Sequence, residues 1–102
     1  MGKITNVAKK SDLPPGTAVG VDIDGNRIAV FNIDGSYYAI DDTCTHAGGS
    51  LSEGEIEGKV VTCPWHGATY DVQNGTALSA PAYEGVKSYK VTVEGEDIKI
   101  ET

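Results

Sequence analysis

Short apolar or alternating runs separated by turn dipeptides recur along the whole chain, and no window carries a sustained 3.6-residue apolar stripe. The pattern predicts an all-β domain of antiparallel strands with little or no helix. Thr17 to Ile23 meets Arg27 to Ile33 across Asp24-Gly25-Asn26, a hairpin signal because these turn residues tolerate positive φ. Asp34-Gly35 then turns the chain into Ser36 to Asp41. Near the end, Tyr89, Val91 and Val93 alternate with Ser88, Lys90 and Thr92; beyond Glu94-Gly95-Glu96, Ile98 and Ile100 alternate with Asp97, Lys99 and Glu101. Period-two alternation of this kind predicts half-buried strands. Leu51 to Thr62, punctuated by Gly54 and Gly58, reads as a small hairpin region of its own, with Lys59-Val60-Val61-Thr62 leading straight into Cys63. Asp12-Leu13-Pro14-Pro15-Gly16 and Ser79-Ala80-Pro81 read as loops. No repeat, linker or low-complexity tail interrupts the pattern.

At 102 residues the chain fits one domain, large enough for a core yet small enough to gain from a metal that ties loops together. Eight basic against fifteen acidic side chains give a net charge of -7, which disfavours nucleic acid and anionic membranes and favours partners with basic patches. Ordinary solvated surface charge would give the same composition. No apolar stretch approaches the roughly 20 residues of a membrane span. The start Met1-Gly2-Lys3-Ile4-Thr5-Asn6 lacks the hydrophobic core of a signal peptide. The expectation is a soluble, cytoplasmic protein.

Every cysteine and histidine of the chain falls in one of two short clusters: Cys44-Thr45-His46 and, after 16 intervening residues, Cys63-Pro64-Trp65-His66. Thiolates are soft donors and imidazoles borderline ones, so their concentration on two loops at strand ends points to a single metal centre. Two cysteines could instead form a disulfide in an exported protein, but each lies beside a histidine and no export signal precedes them, so metal ligation is favoured. Gly48, Gly49 and Gly67, beside these residues, let backbone amides approach sulfur closely or serve as ordinary turn glycines. There is no Gly-x-Gly-x-x-Gly segment for a flavin or nicotinamide.

The pattern Cys-x-His…Cys-x-x-His at this spacing resembles the cluster-binding motif of Rieske-type iron-sulfur proteins, and the chain most resembles the ferredoxin component of Rieske non-haem iron dioxygenase systems. The resemblance spans the chain in length and strand pattern, and its specificity comes from Cys44 to Asp71. It implies a Rieske-like fold, a single domain over residues 1–102 in which a small cluster-binding subdomain, about 42–82, is inserted in a larger β base of antiparallel sheets. It further implies one [2Fe-2S] cluster per chain, with Cys44 and Cys63 on an inner iron and His46 and His66 on an outer iron through Nδ1. Two thiolates and two neutral imidazoles make the oxidised site neutral, where four thiolates would leave two negative charges. Adding an electron is then easier, which is why such sites reach about -150 to +300 mV while plant-type clusters lie near about -400 mV. Structural zinc on the same four side chains is a remote alternative, because zinc motifs more often use Cys-x₂₋₄-Cys and His-x₃₋₅-His spacing.

Neighbouring positions narrow the resemblance. High-potential Rieske subunits of cytochrome bc and bf complexes place two further cysteines, which form a disulfide, and a hydrogen-bonding serine where this chain has Gly49, Trp65 and Ala68. Their absence implies a potential toward the low end for a Rieske site. Tyr70 stands where those subunits have a tyrosine bonded to a cysteine sulfur, and either keeps that bond or packs as an aromatic under the loop. Pro64 would fix the second ligand loop, and Trp65 would shield the cluster or meet a partner. Pro81 resembles the family's third loop, which covers the cluster, or marks an ordinary turn.

Rieske oxygenases need two more histidines and a carboxylate for a mononuclear iron, and both histidines of this chain are already used. The resemblance therefore implies an electron-transfer protein rather than an enzyme: a monomer that accepts one electron from a flavin-dependent NAD(P)H reductase and donates it, in a transient contact, to a terminal ring-hydroxylating oxygenase. No nucleic acid and no membrane enter that role. The alternative is the small subunit of an assimilatory nitrite reductase, which has a similar Rieske-like domain.

Overall fold

The computed structural model describes residues 3–42, 50–63, 68–78 and 85–102. Its strands are β1 (Ile4–Lys9), β2 (Thr17–Ile23), β3 (Asn26–Ile33), β4 (Ser36–Asp41), β5 (Glu55–Glu57), β6 (Val60–Thr62), β7 (Thr69–Asp71), β8 (Ser88–Glu94) and β9 (Asp97–Glu101). Helical structure among the described residues is confined to two single 3-10 turns, Lys10–Asp12 and Leu51–Glu53. The strands form a six-stranded antiparallel sheet in the order β1-β9-β8-β4-β3-β2 and a three-stranded one in the order β5-β6-β7. In sequence the small sheet lies between β4 and β8, so the fold is the all-β one expected, a larger base carrying a small inserted sheet.

Turn chemistry sets the registers. Ile23 pairs with Asn26, and Asp24 and Gly25 adopt φ of 50° and 86°, the two positive values of a type I′ loop that matches strand twist. Asn26, expected in the turn, is therefore the first residue of β3. The same chemistry repeats at Asp34 and Gly35, with φ of 51° and 91°, where Ile33 pairs with Ser36.

β3 is buried on both faces, which its run Ile28-Ala29-Val30-Phe31 foreshadows. Ala29, Phe31 and Ile33 join Ile40, Leu51, Val61, Cys63, Ala68, Tyr70 and Val72 in the core between the base and the small sheet. Ile28 and Val30 point the other way, into a core inside the base with Leu13, Ile23, Ala39, Ile98 and Ile100. The alternation expected for the last hairpin holds in β9, but Val93 of β8 is 38% exposed, one pair from the hairpin tip.

Two features depart from the sequence reading. β1 was not signalled by its own residues; it forms because β9 offers it a partner, Ile4 facing Glu101 and Lys9 facing Asp97. Leu13, in the proline-bearing loop, is 1% exposed. Its carbonyl accepts a hydrogen bond from Asn32 Nδ2 at 2.7 Å, and Asn32 Oδ1 accepts from Gly35 N at 2.9 Å, so a buried amide pins the loop across the base.

Candidate metal centre

Cys63 follows β6 directly and is 1% exposed. Thr62 pairs with Thr69, and Cys63 N donates to Ala68 O at 2.7 Å, so β6 and β7 form a hairpin whose connection runs from Cys63 to Ala68. Position 66 therefore belongs to this connection. Val61, Ala68 and Tyr70 are fully buried in the same core as Cys63. Tyr70 is fully buried, and Ala68 presents a buried methyl and a bonded carbonyl. Cys44, His46, Gly48, Gly49, Pro64, Trp65, His66, Gly67 and Pro81 lie outside the described residues, as does the loop expected at Ser79-Ala80-Pro81.

The segment carrying positions 44 and 46 is closed at its foot by Leu51 N donating to Asp42 O at 2.6 Å. The next foot is near: Gly54 brings its backbone so close to β6 that an added Cβ would stand 2.0 Å from Thr62 O, one residue before Cys63. The segment 79–84 leaves from beside β7, where Leu78 N donates to Thr69 O at 2.8 Å. It returns to the end of β4, where Asp41 N donates to Lys87 O at 2.9 Å and Lys87 N donates to Asp41 Oδ2 at 3.3 Å. All three segments thus spring from adjoining points on β4, β6 and β7.

Two carboxylates organise these feet, and the sequence reading assigned neither. Asp41 Oδ1 accepts the Tyr89 hydroxyl at 2.6 Å. Burial first, then this bond and the Asp41 charge, push the Tyr89 phenol up to about 12. Asp42 has no exposed surface, and its Oδ2 accepts from Arg27 Nε at 3.1 Å while Oδ1 accepts from Ser52 N at 2.7 Å. The bond to Asp42 raises the Arg27 guanidinium above its ordinary value, against a smaller opposing desolvation. The available signal is the doublet Asp41-Asp42 just before the candidate ligands Cys44 and His46, which in isolation reads as a solvated turn.

The donor set suits an iron-sulfur group. Cys63 sits at a loop foot among aliphatic and aromatic side chains, surroundings that would keep water from a thiolate-bound cluster. No helix among the described residues is long and apolar enough to cross a membrane.

Comparison with known proteins agrees with this geometry. Residues 3–90 match the family model for the Rieske [2Fe-2S] domain. The chain is 37% identical over 90 residues to the ferredoxin component of a naphthalene 1,2-dioxygenase system of Pseudomonas aeruginosa, covering 88% of this chain and 86% of that one. Among solved structures, the ferredoxin of carbazole 1,9a-dioxygenase from Nocardioides aromaticivorans superimposes with a TM-score of 0.92 at 31% identity, over 96% of each chain. A complex of reduced oxygenase and oxidised ferredoxin in carbazole 1,9a-dioxygenase matches with a TM-score of 0.90 at 35% identity, over 95% of this chain and 91% of that one.

Proposed function

Since the chain belongs to the Rieske [2Fe-2S] family, we propose that it binds one cluster through Cys44, His46, Cys63 and His66 and works between a flavin-dependent NAD(P)H reductase and a terminal ring-hydroxylating oxygenase. The protein is an electron carrier of the dioxygenase-ferredoxin kind. The observation that carries the ligand assignment is the buried Cys63 at the foot of the β6–β7 connection, with the foot of the other ligand segment fastened beside it.

When bound, the cluster accepts and returns a single electron. The chain's own residues do the rest. Cys44 and Cys63 would supply anionic sulfur and His46 and His66 neutral nitrogen, so the oxidised site would carry no net charge. Val61, Ala68 and Tyr70 exclude water from beneath Cys63. Ala68 offers no side-chain hydroxyl to stabilise extra negative charge, which favours a potential toward the low end for this family.

Both macromolecular contacts are transient, made by a monomer in the cytoplasm. The acidic surface suits that mode, because long-range attraction speeds encounter while a small interface lets the partners separate. The relatives named as ferredoxin components, and the ferredoxin–oxygenase complex among the structural matches, support the oxygenase as acceptor.

A redox titration followed by visible absorption across pH tests the proposal. The expected result is a red-brown protein with iron and acid-labile sulfide, one-electron reduction, and a potential that falls at alkaline pH as histidine loses a proton from the oxidised state. A colourless protein with one zinc and no sulfide sinks it.

A further inference from the structure

Asp42 is a fully buried carboxylate two positions before Cys44. A buried charge persists where its lone pairs are filled, and here every polar part of the residue is engaged. Oδ2 accepts from Arg27 Nε at 3.1 Å and Oδ1 from Ser52 N at 2.7 Å. Its backbone N–H donates to Arg27 O at 3.0 Å, and its carbonyl accepts from Leu51 N at 2.6 Å. One residue therefore fastens β3 to both feet of the segment that contains positions 44 and 46.

Arg27 reaches Asp42 by lying across β2, and the sequence leaves room for it there. An added Cβ at Gly20 would stand 2.7 Å from Arg27 Nη2 and 3.1 Å from Nε, so any larger residue at position 20 must displace the guanidinium. Asp22 steadies the outer edge, accepting from Nη1 at 3.4 Å. Gly20, Arg27 and Asp42 form a chain of contact from the outer strand of the base to the root of the first ligand segment.

Resting on the reading of Cys44 and His46 as ligands, we infer that Asp42 is a positioning residue for that pair and that Arg27, admitted by Gly20, fixes it from the neighbouring strands. An ordinary stabilising ion pair would change only the unfolding temperature. A positioning role also changes the environment of the cluster. Partners of ligand-bearing segments typically alter metal retention about tenfold or more when removed.

The test uses the holoprotein and the variants Arg27→Gln and Gly20→Val, neither at a ligand position, beside Asp42→Asn. Three readouts are taken: the paramagnetic spectrum of the reduced cluster, the rate of iron release to a chelator, and the unfolding temperature. Arg27→Gln and Gly20→Val should each shift the spectrum and speed iron release about tenfold. Their combination should do no more than either alone, because Gly20→Val acts by displacing Arg27. Arg27→Lys, which keeps a charged donor, should restore part of the loss. An Ile98→Ala control, a cavity in the separate core inside the base, should lower the unfolding temperature and leave the spectrum unchanged. The inference is overturned if Arg27→Gln and Gly20→Val lower the unfolding temperature with spectrum and release rate unchanged, or if their effects simply add. Absence of iron and sulfide from the unaltered protein would reject the ligand reading itself, a result distinguishable from either.

Discussion

Tyr89 donates its hydroxyl to Asp41 Oδ1 at 2.6 Å, joining β8 to the last residue of β4, three positions before Cys44. The bond has a pH signature. Burial and Asp41 push the phenol up to about 12 from its ordinary 10.0, so the fold holds the neutral form more tightly than the unfolded chain does. The contribution is whole below about pH 10, declines as pH rises from there, and is gone above about 12. Tyr89→Phe should cost about 1 kcal/mol, a value kept small because the ring is partly solvated. Denaturant unfolding of both proteins across pH checks this: the gap should be constant at neutral pH and close in the alkaline range.

Gly54 offers a test of how tightly the two ligand-loop feet are joined. A Cβ there would collide with the Thr62 carbonyl, which as backbone cannot swing away, and would crowd Val61 Cγ2 at 3.1 Å. Gly54→Ala should destabilise by about 1–3 kcal/mol, the usual range for overpacking. Because Thr62 precedes Cys63, the same variant should release iron faster. Gly58, with a φ of 60° and nothing within 4 Å of an added Cβ, provides the contrast. Its substitution should cost backbone strain alone and leave iron retention unchanged.

The hairpins at Asp24-Gly25 and Asp34-Gly35 were legible because type I′ loops demand residues that accept positive φ, a local requirement written in local sequence. The family was legible because cysteine and histidine are scarce residue types that this chain uses only in two short clusters. β1 was not, since its stability comes from β9 at the opposite end of the sequence. Nor was Asp42, whose burial depends on an arginine 15 residues away and on a glycine in a third strand. Leu13 was hidden for the same reason: two prolines after it announce a loop, and only the buried Asn32 amide shows that the loop is packed inward. Local signals reveal turns and ligand chemistry; contacts across sequence distance stay invisible until the fold brings them together.

Tyr70 is the largest fully buried side chain of the core shared by the base and the small sheet. It is fully buried, pairs with Val61 across the small sheet and bridges to Ala77. Tyr70→Ala should cost about 3–5 kcal/mol, as removal of a core aromatic typically does. Thermal unfolding of the holoprotein would check it. A cost below about 1 kcal/mol would mean that the small sheet repacks readily around the void.

Electron delivery should depend on salt. With a net charge of -7, encounter with a basic docking site is accelerated by long-range attraction, and raising ionic strength shortens the range of that attraction. Stopped-flow transfer to the oxygenase should slow about tenfold or more between low and high salt. Rates indifferent to salt would place recognition in short-range apolar contact instead, for which the half-exposed Leu78, at the foot of the segment 79–84, is available.

Cys63 separates ligation from packing most cleanly, because its neighbours share its core without sharing its chemistry. Cys63→Ser conserves size but replaces a soft thiolate with a hydroxyl that binds iron poorly, so the purified variant should lose the iron, the sulfide and the visible colour. Val61→Ala, in the same core and fully buried, should destabilise by about 1–3 kcal/mol through the cavity it leaves, yet retain the two irons of the cluster. Since a group that binds only the folded state adds to stability by mass action, Cys63→Ser should also unfold at a lower temperature than its small change in volume predicts. Iron and sulfide analysis beside calorimetry distinguishes the outcomes. A Cys63→Ser protein that kept both irons would show that Cys63 is a core residue and that the cluster is held elsewhere.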